Sequence, residues 1–288
     1  VPHASWIPEA HCAVAQSLGV LGDAWDVLVV RDLLRGYRKF DELTAELGIS
    51  RKVLAERLKK LEAHGLLSKV PYQEAPVRHE YRLTPRGEAL IPVLIALQDW
   101  GDRWLLGDGE PTALSGPAAH ERIHALKGTS VPRISLPATT GGSLDVVSDT
   151  RTVLFGYPMT VMGSAPEGWQ DIPGAPGCTL ENRLFRDAYP QFQDRGLAVR
   201  GVSTQRPAQQ FAFAEQERVP YPLLSDAQLQ LTAALRLPTF TGGETPRLRR
   251  FVLLIDPDRT IQDVLFPVTD LAGAVKWALA GGAAKRSR

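Results

Sequence analysis

Two cysteines are the only thiols in the 288 residues, and both invite a chemical question. Cys178 stands in Pro176-Gly177-Cys178-Thr179, where a Pro-Gly turn leads into a stretch that reads as helix from Leu180 to Arg195. A thiol at a helix N-terminus feels the positive end of the macrodipole, which lowers its pKa and raises the thiolate fraction. The chemistry expected there is nucleophilic attack. Pro-Gly before a helix is also ordinary turn chemistry, and a single cysteine is as a rule inert packing, so placement alone does not decide between the two. For Cys12 the ordinary reading is a buried structural thiol. A third feature is a basic run, Arg51, Lys52, Arg57, Lys59 and Lys60 against Glu56 and Glu62, suited to phosphate. His120 and His124 have the i, i+4 spacing of metal ligands, but no cysteine or second acidic partner stands nearby. They are expected in solvent, and no metal is expected. Gly141-Gly142 and Gly242-Gly243 lack a phosphate-loop context, so no cofactor is expected either.

The chain that positions these groups has an ordinary composition, with 44% hydrophobic and 23% charged residues and a formal net charge of +1. That excludes disordered, collagenous and disulfide-scaffold classes but does not exclude DNA binding, which needs only local positive charge. The length suggests two domains. There is no run of some eighteen apolar residues, and Val1-Pro2-His3-Ala4-Ser5 has no signal-peptide pattern. With so few cysteines, a cytoplasmic protein without membrane association is expected. Gly and Pro cluster at Gly107-Asp108-Gly109-Glu110-Pro111 and Leu114-Ser115-Gly116-Pro117, which divides the chain into a first domain at 1–106, a linker at 107–131, a second domain at 132–284 and a tail at 285–288. A short helix from His120 to Leu126 is expected inside the linker.

In the first domain Val14, Leu18, Leu21 and Trp25 recur at helical spacing, and the apolar pattern runs on to Leu34. A helix around Phe40 to Leu47 follows, then the turn Gly48-Ile49, then Ser50 as N-cap for a helix from Arg51 to His64. Leu66 to Val70 and His79 to Leu83 read as strands joined by a loop, Pro71 to Arg78. The sum is a mainly α winged helix-turn-helix. In such modules the start of the second helix enters the major groove, which makes Ser50, Arg51, Lys52 and Arg57 the candidate contacts, with Lys69 and Arg78 holding backbone phosphate from the wing. The alternative is a solvated surface helix. The segment resembles the HxlR-type regulators through Gly22-Asp23-Ala24-Trp25, Arg31-Asp32-Leu33, Arg38-Lys39-Phe40-Asp41-Glu42-Leu43, Gly48-Ile49-Ser50 and Tyr81-Arg82-Leu83-Thr84-Pro85-Arg86-Gly87. That resemblance implies a homodimer, with the segments Cys12 to Leu18 and Ala89 to Leu105 packed on a partner, a duplex DNA operator, and a sensing role for a cysteine near Cys12.

The second domain alternates apolar runs with helices. Thr152 to Tyr157, Leu197 to Ser203, Phe251 to Asp256 and Ile261 to Phe266 read as strands, and Leu180 to Arg195 and Pro207 to Gln216 as helices, which is an α/β pattern. Pro176-Gly177-Cys178-Thr179, Phe185-Arg186-Asp187, Gly201-Val202-Ser203, Pro220 to Asp226 and Arg250 before Phe251 resemble a peroxiredoxin of the bacterioferritin-comigratory, or Q-type, branch, from about Pro132 to Leu279. The resemblance implies a thioredoxin-like fold, with Cys178 as the peroxidatic thiol, Arg250 as its cationic partner and a hydroperoxide as oxidant. The family's Pro-x-x-x-Thr/Ser-x-x-Cys pattern is broken twice. Ala175 replaces the hydroxyl residue, and the proline, Pro158, lies before an insertion at Met159 to Ala175. Either Thr179 or a backbone N–H replaces the lost hydroxyl, or peroxidase activity is weak. Arg183 stands where many Q-type members carry a resolving cysteine, which leaves an external thiol, a second Cys178 or Cys12. Three readings follow: a redox-responsive transcription regulator, a thiol peroxidase carrying a winged helix for localisation or dimerisation, and a regulator whose peroxiredoxin domain is catalytically degenerate.

Overall fold

The structure is a computed structural model that describes residues 11–243 and 245–282. The chain divides into two compact units, one ending at Leu94 and one beginning at Ile95. The basic tail at 285–288 lies outside the described residues. No single helix among them is long and apolar enough to cross a membrane.

The first unit begins with α1 (Ala13–Leu21) and α2 (Ala24–Leu34), separated where Asp23 caps α2 by accepting from the Trp25 N–H at 2.9 Å. Next come α3 (Phe40–Leu47) and α4 (Arg51–Ala63), with Gly48 between them at φ 62°, a left-handed turn that glycine takes without Cβ strain. Ser50 accepts from the Val53 N–H at 3.3 Å, as the sequence suggested. The hairpin β1 (Leu67–Glu74) and β2 (Val77–Leu83) is longer than expected, so the wing loop shrinks to Ala75 and Pro76. A bulge between Pro71 and Gln73 absorbs the missing proline N–H and lets the ladder continue. After α5 (Pro85–Glu88) the chain enters α6 (Ile91–Trp100). Val29, Leu43, Leu54, Leu58 and Leu61, spaced by helical turns, form one core with Leu67 and Tyr81.

In the second unit a π-helical turn (Gly101–Leu105) precedes α7 (Pro117–His124). The segment read as a linker packs here: Ala113 donates its N–H to the Pro173 carbonyl at 2.9 Å, and Ala119 and Ile123 are buried. His124 is not free in solvent, because its ring bonds the Phe266 carbonyl at 3.0 Å. Then follow β3 (Ser135–Pro137), β4 (Ser143–Asp145), β5 (Thr152–Gly156), α8 (Cys178–Asp187), α9 (Tyr189–Asp194), β6 (Ala198–Ser203), α10 (Pro207–Glu217), β7 (Leu223–Ser225), α11 (Gln230–Leu235), β8 (Thr239–Gly242), β9 (Thr245–Leu248), β10 (Phe251–Ile255), β11 (Ile261–Leu265) and α12 (Leu271–Leu279). Five strands make one mixed sheet in the order β11-β10-β5-β6-β7, with β5, β6 and β7 parallel and β10 antiparallel to both its neighbours. Leu154 of β5 enters the core on one face of this sheet, while Val153 and Phe155 enter the core on the other. With side chains alternating between two covered faces, every residue of β5 and β10 is buried. The helix expected at 180–195 begins at Cys178 and breaks at Ala188, since Pro190 cannot donate within a continuous helix. The architecture is the thioredoxin-like α/β fold.

Candidate functional site

Cys178 is the first residue of α8, preceded by Gly177 at φ 110°. A Cβ at Gly177 would find only ordinary contacts, Leu271 at 3.4 Å and the Arg250 guanidinium at 3.6 Å, so it is the left-handed φ that calls for glycine here. Three groups surround the sulfur. Arg250 Nη2 donates to it at 3.0 Å and the Met159 N–H at 3.4 Å, while the Ala175 carbonyl lies 3.7 Å away on the acceptor side. Thr179, half-buried on α8, is not among them, and the backbone N–H after Pro158 stands at the sulfur instead. Ala175 is fully buried with Met159, Trp169, Phe240 and Ala113, so the insertion 159–175 folds into a small apolar core of its own.

Five acceptors meet the Arg250 guanidinium, one at Nε, one at Nη1 and three that share the two N–H groups of Nη2. They are the Glu181 carboxylate at 2.9 Å, the Gly174 carbonyl, the Ala175 carbonyl at 3.1 Å, the Pro176 carbonyl at 2.9 Å and Cys178 Sγ. Glu181, one turn after Cys178 on the same helix, is a site residue that sequence reasoning missed. Its signal was the i, i+3 spacing, which puts the carboxylate on the thiol's side of the helix. Burial pushes Glu181 up to about 7, with Arg250 pulling it down.

The thiol differs from the expectation of a lowered pKa. Burial dominates and pushes Cys178 up to about 11; Arg250 and the Met159 N–H act the other way, while Glu181 adds to the rise. With 3% of its surface exposed, the thiolate would lose hydration that a helix end and one shared arginine do not replace. Arg183, five residues on, is engaged in a two-point bond with Glu217 at 2.8 and 2.9 Å. Neither cysteine is in a disulfide. Cys12 is half-buried and caps α1, its sulfur 3.5 Å from the Ala15 N–H.

In the first unit Ser50, Arg51 and Lys52 stand exposed at the start of α4. Arg51 leans on Asp41 at 2.6 Å, an exposed pair that phosphate can replace. Arg57, grouped with them in the sequence, turns inward: it is largely buried and bonds Asp23 at 3.2 Å, which holds α4 to α2. On the wing Lys69 pairs loosely with Glu62 at 3.2 Å, and Arg78 is exposed.

Family models match both units: HxlR-like helix-turn-helix over residues 20–108 and the AhpC/TSA family over 172–264. An HTH-type transcriptional regulator of Synechocystis is 41% identical over 95 residues, 33% of this chain and 70% of that one. A Mycobacterium tuberculosis protein named as a peroxiredoxin is 35% identical over 141 residues, 48% of this chain and 83% of its own. The chain joins an HxlR-like regulator domain to a peroxiredoxin domain. It spans 59% of the length of the M. tuberculosis HTH-type regulators that it matches at 41% identity. The crystal structure of the peroxidoxin BcpB of M. tuberculosis is 32% identical, covering 56% of this chain and 98% of that one, at a TM-score of 0.46. In the peroxiredoxin domain Cys178 and Arg250 are the thiol and guanidinium in contact, and in the HxlR-like domain α4 is the second helix of the helix-turn-helix. Among the described residues no cluster of His, Cys, Asp and Glu could hold a metal ion.

Proposed function

We propose that this protein is a peroxide-responsive transcription regulator, in which α4 reads duplex DNA and Cys178 is the oxidant-sensing thiol. One observation carries the reading. In the same chain as a helix-turn-helix, a thiol at a helix start lies 3.0 Å from an arginine fork. Cys178 Sγ attacks one oxygen of a hydroperoxide, and the S–O bond forms as the O–O bond breaks. The sulfur is oxidised by two electrons, the thiol proton ends on the departing oxygen, and an alcohol or water leaves behind a sulfenic acid. Arg250 offsets charge on the thiolate and on the leaving oxygen. Return to the thiol takes two steps: Cys12 or an external thiol condenses with the sulfenic acid to a disulfide and releases water, and a further external thiol then reduces that disulfide by exchange.

Sensing is favoured over steady peroxide turnover by what surrounds the sulfur. At Arg250 Nη2 the Ala175 and Pro176 carbonyls and Cys178 Sγ already outnumber the two N–H groups, so a peroxide at the sulfur competes with those carbonyls for the donor. Ala175 offers no hydroxyl, and Arg183 offers no resolving sulfur. Each favours slow, stoichiometric oxidation. Ser50, Arg51 and Lys52 are the proposed base and phosphate contacts, with Lys69 and Arg78 on the wing. Exposed Val14 and Leu18 on α1, with Val93 and Leu97 one turn apart on α6, support a homodimer on the elements expected to meet a partner. The test is to trap sulfenic acid with dimedone after one equivalent of hydrogen peroxide and locate it by mass spectrometry. Adduct at Cys178, absent from Cys178→Ser, is expected. No adduct at Cys178 would leave the degenerate domain as the better reading, and sustained peroxide consumption with glutathione, unaffected by Cys12→Ser, would favour the peroxidase.

A further inference from the structure

Away from both cysteines the second unit holds a cavity of about 550 Å³, a size common among small-molecule sites. Its walls come from the end of α6, the π-helical turn, the segment 107–117 and β8, and include Asp99, Trp100, Trp104, Thr239, Phe240 and Arg249. A π-helical turn widens the helix and recurs at functional sites. Asp99 differs from Asp102, which is ion-paired, and from Asp108 and Glu110, which stand in solvent. It accepts from the Thr239 hydroxyl, and among the described residues it forms no ion pair.

The neighbouring cations are engaged elsewhere. Arg122 holds Asp102 through two bonds of 2.9 and 2.5 Å. Arg249 gives its Nε to the Thr239 carbonyl at 2.9 Å and its Nη1 to the Leu114 carbonyl at 3.4 Å. Arg103 lies over the Trp104 ring at 4.6 Å and donates to the Gly109 carbonyl at 2.5 Å. Trp100 remains half-exposed beside Asp99. Asp108 and Glu110, exposed at the lining, add negative charge. A partly withdrawn carboxylate with no ion pair of its own, on the same wall as a half-exposed indole, is a pairing suited to organic cations.

We propose that this cavity binds a small organic cation, an amine or quaternary ammonium bearing an apolar group, with its charge against Asp99 and its apolar part on Trp100 and Phe240. The site stands apart from the redox reading, since neither cysteine lines it. Burial supports it by raising Asp99 to about 6, against the pull of Thr239, Arg249 and Arg122 and with Asp102 adding to the rise.

The experiment is calorimetric titration of the full, reduced chain at pH 7.5 with benzyltriethylammonium, and with 3-phenylpropionate as an anion of similar bulk. Saturable binding of the cation is expected, weakened at least about tenfold by Asp99→Asn and several-fold by Trp100→Ala, with no measurable binding of the anion. As a second measurement on the unaltered chain, cation affinity falls as pH drops through about 6, where Asp99 takes up a proton. The proposal is overturned by absence of cation binding at millimolar concentration, by equal binding of the anion, or by affinity that ignores both Asp99→Asn and pH. None of those results touches Cys178 oxidation.

Discussion

Both units bury carboxylates beside arginine or lysine, Glu217 with Arg183 and Arg186 among them, but the thiol site does so in the opposite proportion to the winged helix. In the winged helix each buried acid meets two cations. Asp26 has Lys60 at 2.7 Å and Arg57 at 3.9 Å, and Asp32 has Arg31 at 2.8 Å and Arg35 at 2.9 Å. All four cations keep part of their surface in water, so α2 is clamped to its neighbours and nothing is left reactive. In the peroxiredoxin domain one guanidinium serves a carboxylate, three carbonyls and a sulfur. Surplus cation makes a clamp; scarce cation makes a site whose protonation states depend on one another.

The sharpest way to break this comparison is to remove the scarce cation. Arg250→Met strands Glu181 without a cation in the interior and is expected to cost about 3–5 kcal/mol in urea unfolding of the peroxiredoxin domain. The same variant is expected to slow Cys178 sulfenylation by about 10²–10³-fold, followed by quenched-flow dimedone trapping. At the exposed start of α4, Arg51→Ala or Lys52→Ala is expected to lose about 1–3 kcal/mol of DNA affinity for a base contact. A phosphate contact would instead lower the salt slope by about one, which anisotropy across a salt series separates.

Scarcity also sets a pH trend. Glu181, at about 7, and Asp226, at about 6, hold protons in the folded state that ordinary glutamate and aspartate release when unfolded. Between pH 6 and 8 the folded form therefore binds more protons, and stability falls as pH rises. The expected loss is about 1–3 kcal/mol from pH 6 to 8, reduced in Glu181→Gln. Stability rising across that window would contradict the assignment. The smallest effect belongs to the surplus side. Lys60→Met leaves Asp26 with Arg57 and is expected to cost only about 1 kcal/mol, far below Arg250→Met, by thermal melting of the winged helix.

Much of this was legible in the sequence where periodicity speaks. The helix-turn-helix followed from Gly48, Ser50 and the leucines of α4, and the central strands from apolar runs such as Thr152 to Tyr157. The wing was drawn too short because prolines at 71 and 76 look like loop, whereas an edge hairpin tolerates them at a bulge and a turn. The Gly/Pro segment 107–117 read as a free linker because composition does not reveal that Ala113 bonds Pro173, sixty residues away. Cys178 and Arg250 came from motif resemblance. Glu181 did not, since a charged helix residue looks solvated until the fold buries it, and the upward pKa of the thiol depends on that burial. Arg57 failed as a free contact for a similar reason, because Asp23 and Asp26 reach it only through the packing of α2 on α4.

The central claim is that the thiol governs the DNA reader. It is tested most directly by binding to a duplex selected from a random library with reduced protein, then remeasured after one equivalent of peroxide, for the native chain and for Cys178→Ser. The account predicts at least a tenfold change in affinity for the native chain, reversed by dithiothreitol, and none for Cys178→Ser. Equal affinity of reduced and oxidised native protein, with sulfenic acid demonstrably formed at Cys178, would contradict it.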